Sequence, residues 1–94
     1  MSKLSSESLA KLYQALGNSR RIQIIFLLEK ENFTITEIAK RLNIGIGRTS
    51  NYVSILESQN LIQKIRKDNT VIVKSLVLIR EDGEIIRKDK IRDK

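Results

Sequence analysis

Neither cysteine nor histidine occurs in this 94-residue sequence, and the two absences remove whole classes of chemistry. No disulfide framework can form, and no zinc site with sulfur or nitrogen ligands. Nucleophilic triads built on His or Cys are excluded as well. Proline is missing too, so helix ends must be read from Gly, Asn, Ser and Thr. Aromatic residues make up only 4% of the chain, which leaves Ile, Leu and Val as the core candidates. The longest apolar run, 24–28, is far too short to span a bilayer, and the N-terminal MSKLSSESLAKLY has no stretch suited to a signal peptide. These features predict a cytoplasmic protein with no membrane partner.

Positive charge is abundant. The formal net charge is +7 and the pI about 10.0, which points to a polyanionic partner, nucleic acid foremost. The length predicts one domain, 1–94. A domain this small buries a modest share of its surface, and dimerisation would help it.

The segment SSESLAKLYQALGN carries an apolar stripe at Leu9, Leu12, Tyr13 and Leu16. It predicts a helix over about 5–16, started by Ser5 or Ser6 and stopped near Gly17. SRRIQIIFLLEK, apolar nearly all round, predicts a central helix over about 19–30, capped by Asn18 or Ser19. A short strand is expected around Thr34 and Ile35. Thr36 is then read as the cap of a third helix with Ile38, Ala39 and Leu42 inward. Asn43-Ile44-Gly45 makes a tight turn into a fourth helix, 46–58, which Asn60 stops in a left-handed conformation. The β-branched runs of 61–76 flank Asp68-Asn69, a hairpin turn. Finally, Ile79, Ile85 and Ile86 predict a last helix over about 80–92, with Gly83 against it.

The fourth helix has an unusual outer face. Thr49, Tyr52, Val53 and Leu56 share its inner face, while Gly47, Arg48, Ser50, Asn51 and Ser54 lie outside, where a solvated helix would carry Glu and Lys. Short hydrogen-bonding side chains suit close approach to base edges: Asn51 to adenine, Arg48 to guanine or a phosphate, Ile46 to a thymine methyl. The hairpin that follows carries Lys64, Arg66, Lys67 and Lys74 against Asp68 alone. It suits a phosphate backbone or minor groove, or is an edge hairpin kept soluble by its cations. Helix, turn, helix and hairpin in this order form a winged helix-turn-helix: mainly α with a small β-hairpin (α-α-α-α-β-β-α), with the helix-turn-helix at 36–58 and the wing at 61–76.

Three stretches resemble the arsenic-repressor (ArsR-type) and multiple-antibiotic-resistance (MarR-type) regulators over 15–88. LGNSRRIQII, 16–25, looks like the start of helix 2 in ArsR-type proteins, with Arg21 at the position of a frequent Arg. TEIAKRLNIGIGRTSNYVSILESQNLI, 36–62, is similar to that family's recognition unit, with Ala39, Leu42, Ile44, Val53, Leu56 and Leu61 at usual core positions. LIREDGEII, 78–86, is similar to the segment leading into the last helix of MarR-like proteins. The Ile- and Lys/Arg-rich composition is also similar to small winged-helix proteins of thermophilic archaea and their viruses, a bias that an AT-rich genome would equally produce. Metal sensors of the ArsR type use Cys or His, absent here, so no metal or other cofactor is expected.

The resemblance and the residues together imply a sequence-specific double-stranded DNA-binding transcription regulator and not an enzyme. Helix 46–58 would lie in the major groove, with wing 66–70 on the backbone or minor groove. The expected contacts are Thr36 and Lys40 to phosphate, Ile46, Gly47, Arg48, Ser50, Asn51 and Ser54 in the groove, and Arg66, Lys67 and Asn69 from the wing. Arg20 or Arg21 would contact phosphate or form an internal ion pair. Glu81, Asp82 and Glu84 would complement a helix start rather than hold a cation. A homodimer through helix 1 and the C-terminal helix predicts a palindromic site. Repression is expected, since the chain has no room for a separate activation domain. The competing expectations are a non-specific architectural DNA-binding protein and a winged-helix protein-interaction module.

Overall fold

The computed structural model describes residues 5–90. Ser5 starts α1, Ser6–Ala15, by accepting a hydrogen bond from Ser8 N–H at 3.1 Å. Asn18 starts α2, Ser19–Leu28: its Oδ1 accepts from the backbone N–H groups of Arg20 and Arg21 at 2.9 and 3.2 Å. Both caps satisfy donors that a helix start leaves unpaired. Ile24, Ile25 and Leu28 of α2 are fully buried at the centre of the core, but Phe26 of the same helix is exposed.

Strand β1, Phe33–Thr34, leads directly into α3, Ile35–Leu42. Its cap is Thr34 and not Thr36, a correction to the sequence reading. Thr34 Oγ1 accepts from Glu37 N–H at 3.1 Å, and Glu37 Oε1 accepts from Thr34 N–H at 2.8 Å. This reciprocal pair needs a carboxylate three residues after the Thr. Thr34 has Glu37 there, whereas Thr36 has Ala39. Asn43 ends α3 at φ +56°, in the left-handed region that Asn tolerates. Helix α4 then spans Ile46–Ser58.

Asn60, at φ +60°, turns the chain back so that Leu61 N–H donates to Leu56 O at 3.1 Å. Strands β2, Ile62–Lys67, and β3, Thr70–Ser75, pair antiparallel around Asp68, which alone of the turn pair takes a positive φ (+56°). Strand β1 adds to the other edge of β3, giving the order β1-β3-β2. Phe33 and Val73 are register partners, and both are buried. The inner face of this sheet packs with α2, α3 and α4 around Ile38, Val53, Leu56 and Ile62.

The C-terminal helix expected at 80–92 does not form within the described residues, and 91–92 lie outside them. The chain makes a second hairpin instead: β4, Val77–Ile79, pairs antiparallel with β5, Ile85–Arg87, and a 3-10 turn, Lys88–Lys90, follows. Two short β-branched runs flank REDGE, and Gly83 takes φ +92°, a conformation no helix contains and other residues adopt with strain. Ser75 makes the break between the two sheets: its buried hydroxyl donates to Val77 O at 2.7 Å and accepts from Val77 N–H at 3.2 Å. Glu29 fastens the hairpin to the end of α2, since its Oε2 accepts Ile79 N–H at 2.8 Å and its carbonyl accepts Lys88 Nζ at 3.3 Å. No helix among the described residues is long and apolar enough to cross a membrane.

Candidate nucleic-acid interface

Helix α4 buries Thr49, Val53 and Leu56 and exposes Gly47, Arg48, Asn51 and Ser54, so the two faces inferred from spacing are the two faces present. Ser50 lies half-buried between them, and Ile46 is 56% exposed at the helix start. Gly45 is the N-cap and offers no side-chain oxygen to the first N–H groups. Thr49 Oγ1 donates back to Gly45 O at 2.8 Å, which spends its hydroxyl inside the protein. Glu57, the one carboxylate on α4, is paired with Lys64 of β2 at 3.4 Å. The exposed stripe therefore holds a cation and short hydrogen-bonding groups with no anion among them. On α3, Thr36 and Lys40 are both exposed, one helical turn apart.

The wing's cations divide between its two faces, because side chains alternate along a strand. The register pairs Lys64 with Val73, Arg66 with Val71, and Lys67 with Thr70. Arg66 thus shares the face of Lys64, the side that meets α4, while Lys67 points to the outer side. Asn69 is exposed at the tip. The two ion pairs found among the described residues are Glu57–Lys64 and Arg87–Asp89, so Lys40, Arg48, Arg66 and Lys67 have no carboxylate partner there.

The two arginines of α2 separate clearly, and neither forms an ion pair among the described residues. Arg21 is used internally: its Nε donates to Ala15 O at 2.6 Å, Nη2 donates to Gln14 O at 3.2 Å, and the guanidinium lies 5.7 Å from the centre of the Tyr52 ring. It closes the open carbonyl of Ala15, shares Gln14 O with Gly17 N–H, and stacks on Tyr52 of α4. Arg20 is exposed and reaches Leu42 O at the end of α3. Sequence reasoning missed Arg41, an exposed cation of α3 held 4.5 Å above the Phe33 ring; no local pattern links residues 33 and 41. Glu81, Asp82 and Glu84 sit in the β4–β5 turn rather than at a helix start, and Asp82 Oδ1 accepts Glu84 N–H at 3.0 Å. Among the described residues no cluster of three His, Cys, Asp or Glu side chains could hold a metal ion.

Away from this surface, Tyr13 is 60%, Phe26 51% and Leu9 40% exposed. Tyr13 and Phe26 line a groove of about 410 Å³ with Leu16, Ile22, Ile79 and Ile85. The apolar stripe of α1 is therefore only partly covered by the chain itself.

An added Cβ at Gly47 would meet nothing within 4 Å. Gly47→Ala is thus expected to raise stability by about 0.5–1 kcal/mol in urea denaturation, by helix propensity alone. If the helix backbone approaches DNA here, the same methyl lowers duplex affinity several-fold. A variant that gains both stability and affinity would remove Gly47 from the interface.

Residues 18–64 match the family model for bacterial regulatory proteins of the arsR family. No curated protein matches the chain in sequence. Among solved structures, NolR from Sinorhizobium fredii is 27% identical, with a TM-score of 0.70 over 80% of this chain and 81% of that one. The homodimeric winged helix-turn-helix DNA-binding domain from Mycobacterium bovis is 23% identical, with a TM-score of 0.70 over 80% and 75%. HlyU from Vibrio cholerae is 24% identical, with a TM-score of 0.68 over 74% and 76%.

Proposed function

The chain belongs to the arsR family of bacterial regulatory proteins, which are DNA-binding transcription regulators and not enzymes, and from that premise we propose that it is a cytoplasmic, sequence-specific repressor acting as a homodimer on a palindromic duplex site. Helix α4 enters the major groove, α3 lies across the backbone, and the wing reaches the flanking phosphates or minor groove. The observation that carries this is the exposed stripe Gly47, Arg48, Asn51 and Ser54, free of carboxylates, with Arg66 on the wing face that meets α4. Arg48 and Asn51 read bases, with Ile46, Gly47, Ser50 and Ser54 close beside them. Thr36, Lys40, Arg66, Lys67 and Asn69 hold the backbone. The exposed side of α1, together with Phe26 and the β4–β5 hairpin, forms the contact between protomers, a role supported by three large apolar side chains left open on one side. Bound at its operator, the dimer represses by occupying it.

Selection of bound duplexes from a random library tests this directly. A palindromic consensus is the expected result. Against the selected site, Arg48→Ala and Asn51→Ala should each cost about 1–3 kcal/mol and relax preference at one base. Lys67→Ala should weaken all sequences alike and flatten the salt dependence. Strong binding without a consensus would make the protein architectural, and identical behaviour of Asn51→Ala and Lys67→Ala would remove α4 from base reading. A chain that binds no duplex would leave the winged helix to a protein partner.

A further inference from the structure

Arg20 belongs neither to the helix-turn-helix nor to the wing, yet it is held beside the turn that leads into α4. Its Nη1 donates to Leu42 O at 3.1 Å and to Gln23 Oε1 at 3.3 Å. Leu42 is the last residue of α3, and the N-cap of α4, Gly45, follows three residues later. At most about 11 Å of chain separates those two positions. The guanidinium has five N–H donors in a fixed plane. Both bonds use the Nη1 corner, so the plane is set while the Nε and Nη2 edge makes no hydrogen bond among the described residues. The side chain is exposed. That edge is the one whose two parallel N–H groups match two oxygens of a phosphate. Capping a helix carbonyl needs a single donor and leaves the rest of the fork unexplained. Arg21 shows the contrast, since its own Nε and Nη2 are both turned inward to the carbonyls of α1.

The geometry points to Arg20 as a phosphate clamp: pre-oriented by Leu42 O and Gln23, it grips the DNA backbone at the rim of the groove that α4 enters and extends the footprint onto α2. Its role rests on α4 being the helix that enters the groove. The clamp adds affinity without base preference, because a phosphate carries no sequence. It also ties α2 to the α3–α4 turn when DNA is bound, so the groove-reading helix is braced from behind.

The test is the salt dependence of binding, measured for the native chain, Arg20→Ala, Arg20→Lys and Lys67→Ala on a mixed-sequence duplex and on the selected site. A lost phosphate contact lowers the slope of log K against log salt by about 0.9 on B-form DNA. Arg20→Ala should show that drop on both duplexes, with base preference unchanged. Arg20→Lys, which keeps the charge and loses the fork, should keep the slope and bind several-fold more weakly. It also serves if Arg20→Ala fails to fold. A native slope in folded Arg20→Ala, or native affinity together with native slope in Arg20→Lys, overturns the clamp. If Lys67→Ala flattens the slope and Arg20→Ala does not, the clamp alone falls. If the native chain binds neither duplex, the DNA-binding reading falls and takes the clamp with it.

Discussion

Tyr13→Glu is expected to give a monomer and to weaken binding to a two-half-site duplex by about 10²–10⁴-fold, the range over which joining two binding units multiplies affinity. Tyr13 stands on α1 one turn from Leu9 and lines the same groove as Phe26, Ile79 and Ile85. The residue is 60% exposed and lies outside the buried core, so removing its ring leaves no cavity there. A carboxylate there disrupts an apolar contact because a second protomer would strip it of water. The exposed Arg80 of the same groove offsets that cost only in part, since Glu81 lines the groove as well. Sedimentation equilibrium would report the assembly state, and titration against full-site and half-site duplexes would report its consequence. The variant should bind a half-site as the native protein does and gain little from the second half. Tyr13→Phe, which keeps the apolar ring, should behave as native. A native chain that sediments as a monomer, or a Tyr13→Glu chain that stays dimeric, would move the protomer contact elsewhere.

Much of this surface was legible in the sequence, and the failures have identifiable causes. Helix α4 was readable at both ends because Gly45 and Asn60 punctuate it and because its inner apolar positions repeat at helical spacing. The wing was readable because Asp68 tolerates the positive φ that its turn requires. The C-terminal hairpin is hidden in the sequence because Ile79, Ile85 and Ile86 also suit a helix, and Gly83 taken alone weakens that helix without replacing it. An Asp-Gly pair flanked by β-branched runs is a hairpin signal, and the φ of +92° at Gly83 shows why it prevailed. The cap of α3 is ambiguous locally because Thr34 and Thr36 are both cap residues, and only the carboxylate three positions on, present for Thr34 and absent for Thr36, separates them. The division of labour between Arg20 and Arg21 was beyond any local pattern. It depends on which carbonyls the ends of α1 and α3 leave open, and α3 arrives 22 residues away in the chain.

Helix α4 should also show two separable sensitivities. Leu56→Ala is expected to cost about 2–5 kcal/mol of stability, through lost burial and the cavity left behind. Leu56 is fully buried in the cluster that includes Val53, Ile62 and Leu61. Native domains hold only about 5–15 kcal/mol in total, so the variant loses a large share of its margin. Asn51, in the same helix and facing outward, should change stability by no more than about 0.5 kcal/mol when replaced by Ala, as exposed positions do. Duplex DNA binds only the folded form, and at a hundredfold excess over Kd it returns about 2.7 kcal/mol. Urea denaturation with and without the selected duplex therefore separates the two faces. Leu56→Ala should unfold early, recover in the presence of DNA, and keep the native base preference once folded. Asn51→Ala should unfold with the native midpoint and lose preference at one base. If Leu56→Ala changes which base is preferred, the buried face also sets the angle at which α4 meets the groove, and specificity could no longer be assigned to the exposed stripe alone.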